Sequence, residues 1–188
     1  MDRGLAAATG MGFVGFIARQ NHWWQTPEMP QALRAATEHL TQGQDIMLFG
    51  RSMGSAGALL AARSLPVSTV LAVAPPIIVD EQHASWELRF QTVAHLARQI
   101  HGLEPYTDPR TRTYVAYDPF RRDDVNYLQL PDAAGRTYVR WPVPLSDHRP
   151  MVDVWKAGLY RNLPPHSSSG ATCRPHGRSC AGRAHAVA

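Results

Sequence analysis

Leu48-Phe49-Gly50-Arg51-Ser52-Met53-Gly54-Ser55-Ala56-Gly57 decides the fold. The apolar residues Ile46-Met47-Leu48-Phe49 before it predict a buried strand, and Ala58-Leu59-Leu60-Ala61-Ala62 after it predict a helix over about residues 53–64. Between them stands Gly50-x-Ser52-x-Gly54. A serine at such a strand-to-helix corner is lifted above the end of the sheet, and glycines on either side let the turn close. The free N–H groups at the start of the helix, that of Met53 first, are placed to stabilise an oxyanion. The flanking strand and helix set this match apart from a Gly/Ser-rich turn without chemistry.

Working outward, apolar periodicity alternates between helix and strand. Met11–Ala18 reads as a strand, Gln31–Gln42 as a helix with Pro30 at its start, and Ser68–Ala74 as a continuous apolar central strand. Ala84–His101 reads as a long helix packed on the sheet, with a cap over the site as the alternative, and strands near 112–117 and 137–141 close the sheet. Such alternation specifies an α/β fold of three layers: a mainly parallel sheet of about five strands with helices on both faces.

An elbow serine needs a base and a group that orients the base. The strand Thr113–Tyr117 runs into Asp118-Pro119, which puts Asp118 on the sheet rim where α/β proteins gather their ligands. His148 follows the strand Thr137–Trp141 and precedes a helix over about 150–163. The segment between them holds one helix and one strand, enough to return His148 to the same rim. The expected catalytic set is Ser52 as nucleophile, His148 as base and Asp118 as acid, with Met53 N–H at the oxyanion. Asp123 and Asp124 compete for the acid role, although a place at the start of the next helix gives them an ordinary capping function. Asp147 is a poor orienter because adjacent loop residues point apart.

Gly50-Arg51-Ser52-Met53-Gly54, Asp118-Pro119 after a strand and His148 before a final helix together resemble the α/β-hydrolase superfamily over about residues 4–163. Asn21-His22-Trp23-Trp24-Gln25-Thr26-Pro27-Glu28-Met29, Ala74-Pro75-Pro76 and Trp86-Glu87-Leu88-Arg89 further resemble a bacterial branch of small hydrolase-like proteins often found near surface-polysaccharide genes. The resemblance implies a serine hydrolase, esterase-like, working through an acyl-enzyme on a small-molecule ester or acyl substrate without a cofactor. It also exposes a departure. Superfamily members carry earlier strands, and the loop after the third supplies a second oxyanion N–H. Here that strand is expected to be missing, which leaves the sheet truncated. Loss of one donor costs about 100- to 1000-fold in rate. The alternative is therefore a catalytically silent or truncated hydrolase-fold protein with a binding role. The same departure predicts that residues 11–18 form an edge strand with one side unpaired, a route to homo-oligomers.

Asn21, Trp23 and Trp24 leave the first strand on the rim of Ser52. Two indoles beside Asn and Gln suit stacking on a sugar or acyl group, so these three are the expected substrate-binding residues; packing of both indoles under the loop is the competing reading. His22 reads as a polar loop residue.

Composition limits the remaining classes. All 15 acidic residues and 16 of the 19 basic ones precede Pro164, so the basic balance belongs largely to the last 25 residues. The body has no Arg/Lys stripe for nucleic acid, no apolar run of membrane-spanning length and no signal-peptide pattern, which predicts a cytoplasmic protein. Residues 1–163 are expected to form one domain and 164–188 a disordered tail. Cys173-x2-His176-x3-Cys180-x4-His185 in that tail has metal-like spacing but nothing apolar to organise it, and no metal site is expected.

Overall fold

The computed structural model describes residues 12–38, 45–76, 85–90, 111–133, 138–150 and 184–187. Its elements in chain order are β1 (Gly12–Gly15), α1 (Met29–Glu38), β2 (Met47–Arg51), α2 (Met53–Ala61), β3 (Thr69–Val73), β4 (Arg112–Tyr117), α3 (Arg122–Ala133), β5 (Val139–Pro142) and β6 (Ala184–Val187). The strands form one sheet in the order β1-β6-β2-β3-β4-β5, and every pairing is parallel. The fold is α/β, as the alternation requires.

Burial grades across the sheet. Four of the five residues of β2 and of β3 are buried, whereas β1 and β5 at the two edges contain no buried residue. Alternate residues of the central strands serve opposite faces. Leu48, Val70, Ala72 and Val115 join Ala56, Ala58 and Leu59 of α2 and Tyr127 and Leu128 of α3 in the larger core cluster, against which Leu33 of α1 packs. Met47, Phe49, Leu71, Val73 and Ala116 make the smaller cluster with Trp141 and Val143. All three described helices thus contribute to one face. The expected helices over 84–101 and 150–163 fall mostly outside the described residues.

Among the described residues β1 is an edge strand, bonded to β6 alone. β6 corrects the reading of 164–188 as wholly disordered, and it raises the strand count from about five to six. Met47, Leu48 and Phe49 align with His185, Ala186 and Val187, which in turn align with Phe13, Val14 and Gly15. A four-residue strand of this composition has no periodic apolar signal. Its place is set by backbone hydrogen bonds to a strand on each side, which a side-chain pattern does not report.

Candidate active site

The corner between β2 and α2 is a strained turn. Ser52 has φ 51° and ψ −124°, a left-handed conformation that costs a non-glycine residue roughly 1–3 kcal/mol and persists only where the surroundings impose it. They do so through the backbone. Ser52 N–H donates to Val73 O of β3 at 2.9 Å, and Ser52 O accepts from Ser55 N at 2.8 Å. The buried Ser55 hydroxyl donates to the same carbonyl. A Cβ at Gly50 would stand 2.0 Å from Gly54 O, so only glycine fits there. Met53 N–H, the first of α2, makes no hydrogen bond among the described residues.

His148 arrives on the loop after the edge strand β5. His148 Nε2 lies 2.9 Å from Ser52 Oγ, with 22% of its side chain exposed. Its loop follows β5 and contains two left-handed residues, Leu145 (φ 60°) and Asp147 (φ 53°). The buried carboxylate of Asp118 holds this loop. Its Oδ2 accepts from Asp147 N at 2.7 Å, and its Oδ1 accepts from Leu145 N at 3.3 Å and Phe120 N at 2.9 Å.

Asp118 is therefore not placed against the imidazole. The carboxylate facing His148 Nδ1 is that of Asp124, whose Oδ1 stands 3.5 Å away on a side chain 1% exposed. Asp124 Oδ2 accepts a 3.3 Å hydrogen bond from Asp118 N. The structure thus brings Asp124, rather than the expected Asp118, to His148. The reason is helical register: in the first turn of α3, Asp123 faces outward with 35% of its side chain exposed, and Asp124 faces the sheet. Two adjacent acids at a helix start, one on the buried side, are the signal that sequence reading passes over when it assigns both to capping. At 3.5 Å the imidazole N–H and the carboxylate are at ion-pair separation, and Nδ1 makes no hydrogen bond among the described residues. Such contacts are often long before substrate closes the site.

The two tryptophans are also relocated. Trp23 is 1% exposed and Trp24 8%, so neither offers a face for stacking on a ligand. Trp23 meets Phe90 edge-on at 5.0 Å. Trp24 lies along α2: its Nε1–H donates to Met53 O at 2.9 Å, and a Cβ at Gly57 would come within 2.5 Å of its ring. Both residues have positive φ, and His22 Nδ1 accepts from Trp24 N at 3.0 Å. The loop therefore braces the elbow helix. Asn21 remains exposed on its outer side.

A charged network missed by sequence reading backs the site. Arg121, just ahead of α3, pairs with Asp147, with Asp123 (3.6 Å) and with Asp124 (3.7 Å). Desolvation, the largest single influence, raises the Asp147 carboxyl, but the hydrogen bond and charge of Arg121 together outweigh it and leave Asp147 below its ordinary value. Arg89 pairs with the buried Glu87 and lies 3.7 Å from Asp123. Burial pushes Glu87 up, and hydrogen bonds from Arg89 and from Tyr127 Oη (2.7 Å) more than reverse it, so its carboxyl lies below its ordinary value. Burial, then the Glu87 carboxylate, drives the Tyr127 phenol the other way, upward.

Among the described residues no cluster of three or more His, Cys, Asp or Glu is suited to a metal, and no helix is long and apolar enough to cross a membrane. Cys173, His176 and Cys180 lie outside the described residues.

The fold and site define an α/β protein with a serine elbow and a histidine on one sheet rim. No family model matches the chain, and no curated protein matches its sequence. The architecture is similar to two solved structures of the capsule O-acetyltransferase of Neisseria meningitidis serogroup A. One, a histidine-to-alanine mutant in complex with CoA, gives a TM-score of 0.54 at 15% identity, over 74% of this chain and 68% of that one. The other gives 0.51 at 13%, over 76% and 68%. At these identities the likeness is one of fold.

Proposed function

We propose that this chain catalyses acyl transfer through an acyl-enzyme on Ser52. The observation that carries the reading is the 2.9 Å approach of His148 Nε2 to Ser52 Oγ at a strained elbow. Ser52 Oγ attacks the acyl carbonyl while His148 Nε2 takes its proton, and Met53 N–H stabilises the oxyanion. The proton returns to the leaving group as the carbon–leaving-group bond breaks. An acceptor hydroxyl, of water or of an alcohol, then gives its proton to His148 and takes the acyl group, and His148 passes that proton to Ser52 Oγ as the Oγ–acyl bond breaks. Asp124 orients the imidazole and stabilises the imidazolium. Water as acceptor makes the protein an esterase-like serine hydrolase, as the α/β-hydrolase resemblance implies. An alcohol makes it an O-acyltransferase, the direction in which the structural neighbours point.

Mass spectrometry after incubation with acetyl-CoA, and separately with an activated acetyl ester, tests the reading. An acetyl increment on the peptide containing Ser52, absent in Ser52→Ala, supports it. No adduct and no labelling of Ser52 by a fluorophosphonate overturns it.

The alternative is a catalytically silent, ligand-binding role, in which the elbow and His148 hold a ligand without reacting with it. Ligand binding with Ser52 unlabelled would mark that outcome.

A further inference from the structure

We propose that Arg121 is a positioning residue for the Ser52–His148 pair, acting through Asp124 and Asp147. The proposal rests on the reading of Ser52 as nucleophile and His148 as base. One guanidinium reaches both carboxylates that bracket the histidine. Nε stands 3.7 Å from Asp124 Oδ1, the same oxygen that faces His148 Nδ1 at 3.5 Å. Nη1 is hydrogen-bonded to Asp147, the residue before His148. Arg121 Nε and His148 Nδ1 are both buried and lack hydrogen bonds among the described residues. Asp124 Oδ1 is thus approached by two buried N–H groups and bonded by neither.

This arrangement has two physical consequences. Mechanically, Arg121 ties the start of α3 to the histidine loop, across 26 residues of sequence. The loop's two left-handed residues, Leu145 and Asp147, need such a restraint. Electrostatically, the fixed cation draws on the charge of Asp124. An Asp124 carboxylate left wholly to His148 would hold the imidazolium more firmly and delay the appearance of the neutral base. Arg121 keeps the acid shared. The other ionisable groups around His148 are Asp118 beneath the loop, which accepts from Asp147 N and donates its own N–H to Asp124 Oδ2, Asp123 on the outer side of α3 and Arg149 beside it; among the described residues Arg121 is the cation that reaches both the Asp124 and the Asp147 carboxylate.

The test measures two pH profiles on the full chain in wild type, Arg121→Lys and Arg121→Met. One is the rate of Ser52 labelling by a fluorophosphonate. The other is the imidazole titration of His148 by ¹⁵N resonance, assigned with His148→Gln. In Arg121→Met the acidic limb of both profiles is expected to move to higher pH by about half to one unit, since a lost neighbouring charge acts at that scale. The labelling plateau is expected to fall about tenfold or more through misplacement of the base. Arg121→Lys keeps the charge and loses the fork, so its limb stays with wild type while its plateau falls. A merely structural Arg121 would lower the plateau in both variants and move neither limb. Coincident His148 titrations in wild type and Arg121→Met, or a shift to lower pH, overturn the proposal. If Arg121→Met lacks the native near-ultraviolet dichroism, Arg121→Gln, which can still bond Asp147, carries the same arm. Failure of Ser52 to label in wild type overturns the acyl-transfer reading alone, because the His148 titration does not depend on it.

Discussion

The two halves of the candidate site are built differently. The elbow from Phe49 to Gly57 is shaped by its own backbone: a glycine without room for a Cβ, a serine at φ 51° and main-chain bonds to β3 and within α2. The histidine loop, by contrast, is held by side chains from elsewhere, with Asp118 taking two of its N–H groups and Arg121 taking Asp147. The placement of Ser52 is therefore a local property of the chain, whereas that of His148 is a property of the assembled rim. Lesions in the first region are expected to act chiefly on folding, whereas lesions in the second displace His148, with a stability cost where a support of the loop such as Asp118 is removed.

The sharpest way to break that contrast is Gly50→Ala. A methyl 2.0 Å from Gly54 O forces backbone to move, and a loss of about 3 kcal/mol or more in urea unfolding is expected. Wild-type stability in this variant would show that the elbow is not locally constrained. Next, Asp118→Ala removes the acceptor of three partly buried backbone N–H groups, and a cost of about 1–3 kcal/mol is expected because these donors lose their partner. Asp124→Asn keeps the shape of the side chain, so its stability should change little, while Ser52 labelling falls by about 100- to 10,000-fold if Asp124 orients the base. Equal kinetic losses at both positions, with equal stability, would return Asp118 to the acid role.

Trp24→Phe sharpens the contrast on the elbow side. It deletes the bond to Met53 O, with an expected loss of about 1–2 kcal/mol, and leaves KM for an activated ester unchanged because the indole is buried. A raised KM without loss of stability would restore a ligand-facing tryptophan. The smallest effect concerns pH. Glu87 has a lowered folded value, so its contribution to stability is present above the carboxyl's ordinary range and fades as pH falls through that lowered value. The stability gap between wild type and Glu87→Gln should accordingly be full at neutral pH and narrow on acidification. A gap that widens in acid would reverse the sign.

Much of the local half was legible in the sequence. Gly50-x-Ser52-x-Gly54 with its flanking apolar runs specifies strand, corner and helix, and β3 and β4 follow from continuous apolar and β-branched stretches. The assembled half was less so. The pairing of Asp124 with His148 depends on which side of α3 meets the sheet, and two neighbouring acids look alike until that register is set. Trp23 and Trp24 read as polar-loop residues because their neighbours are polar; the cavity they fill is formed by α2 and Phe90, far along the chain. β6 lacks apolar pattern altogether, and only its pairing to β1 and β2 marks it as a strand.

The contact between Trp24 and Gly57 carries a further consequence. With a Cβ at 57 reaching to 2.5 Å from the indole, the sizes of these two side chains are not independent variables. An indole at 24 demands hydrogen at 57, and a methyl at 57 demands a narrower ring or none at 24. The signature of this corner is therefore longer than the five residues around Ser52. It extends to the fifth residue after the serine and couples to an aromatic 28 positions before it, a two-part pattern with which distant relatives of this chain are separable from chance Gly-x-Ser-x-Gly matches.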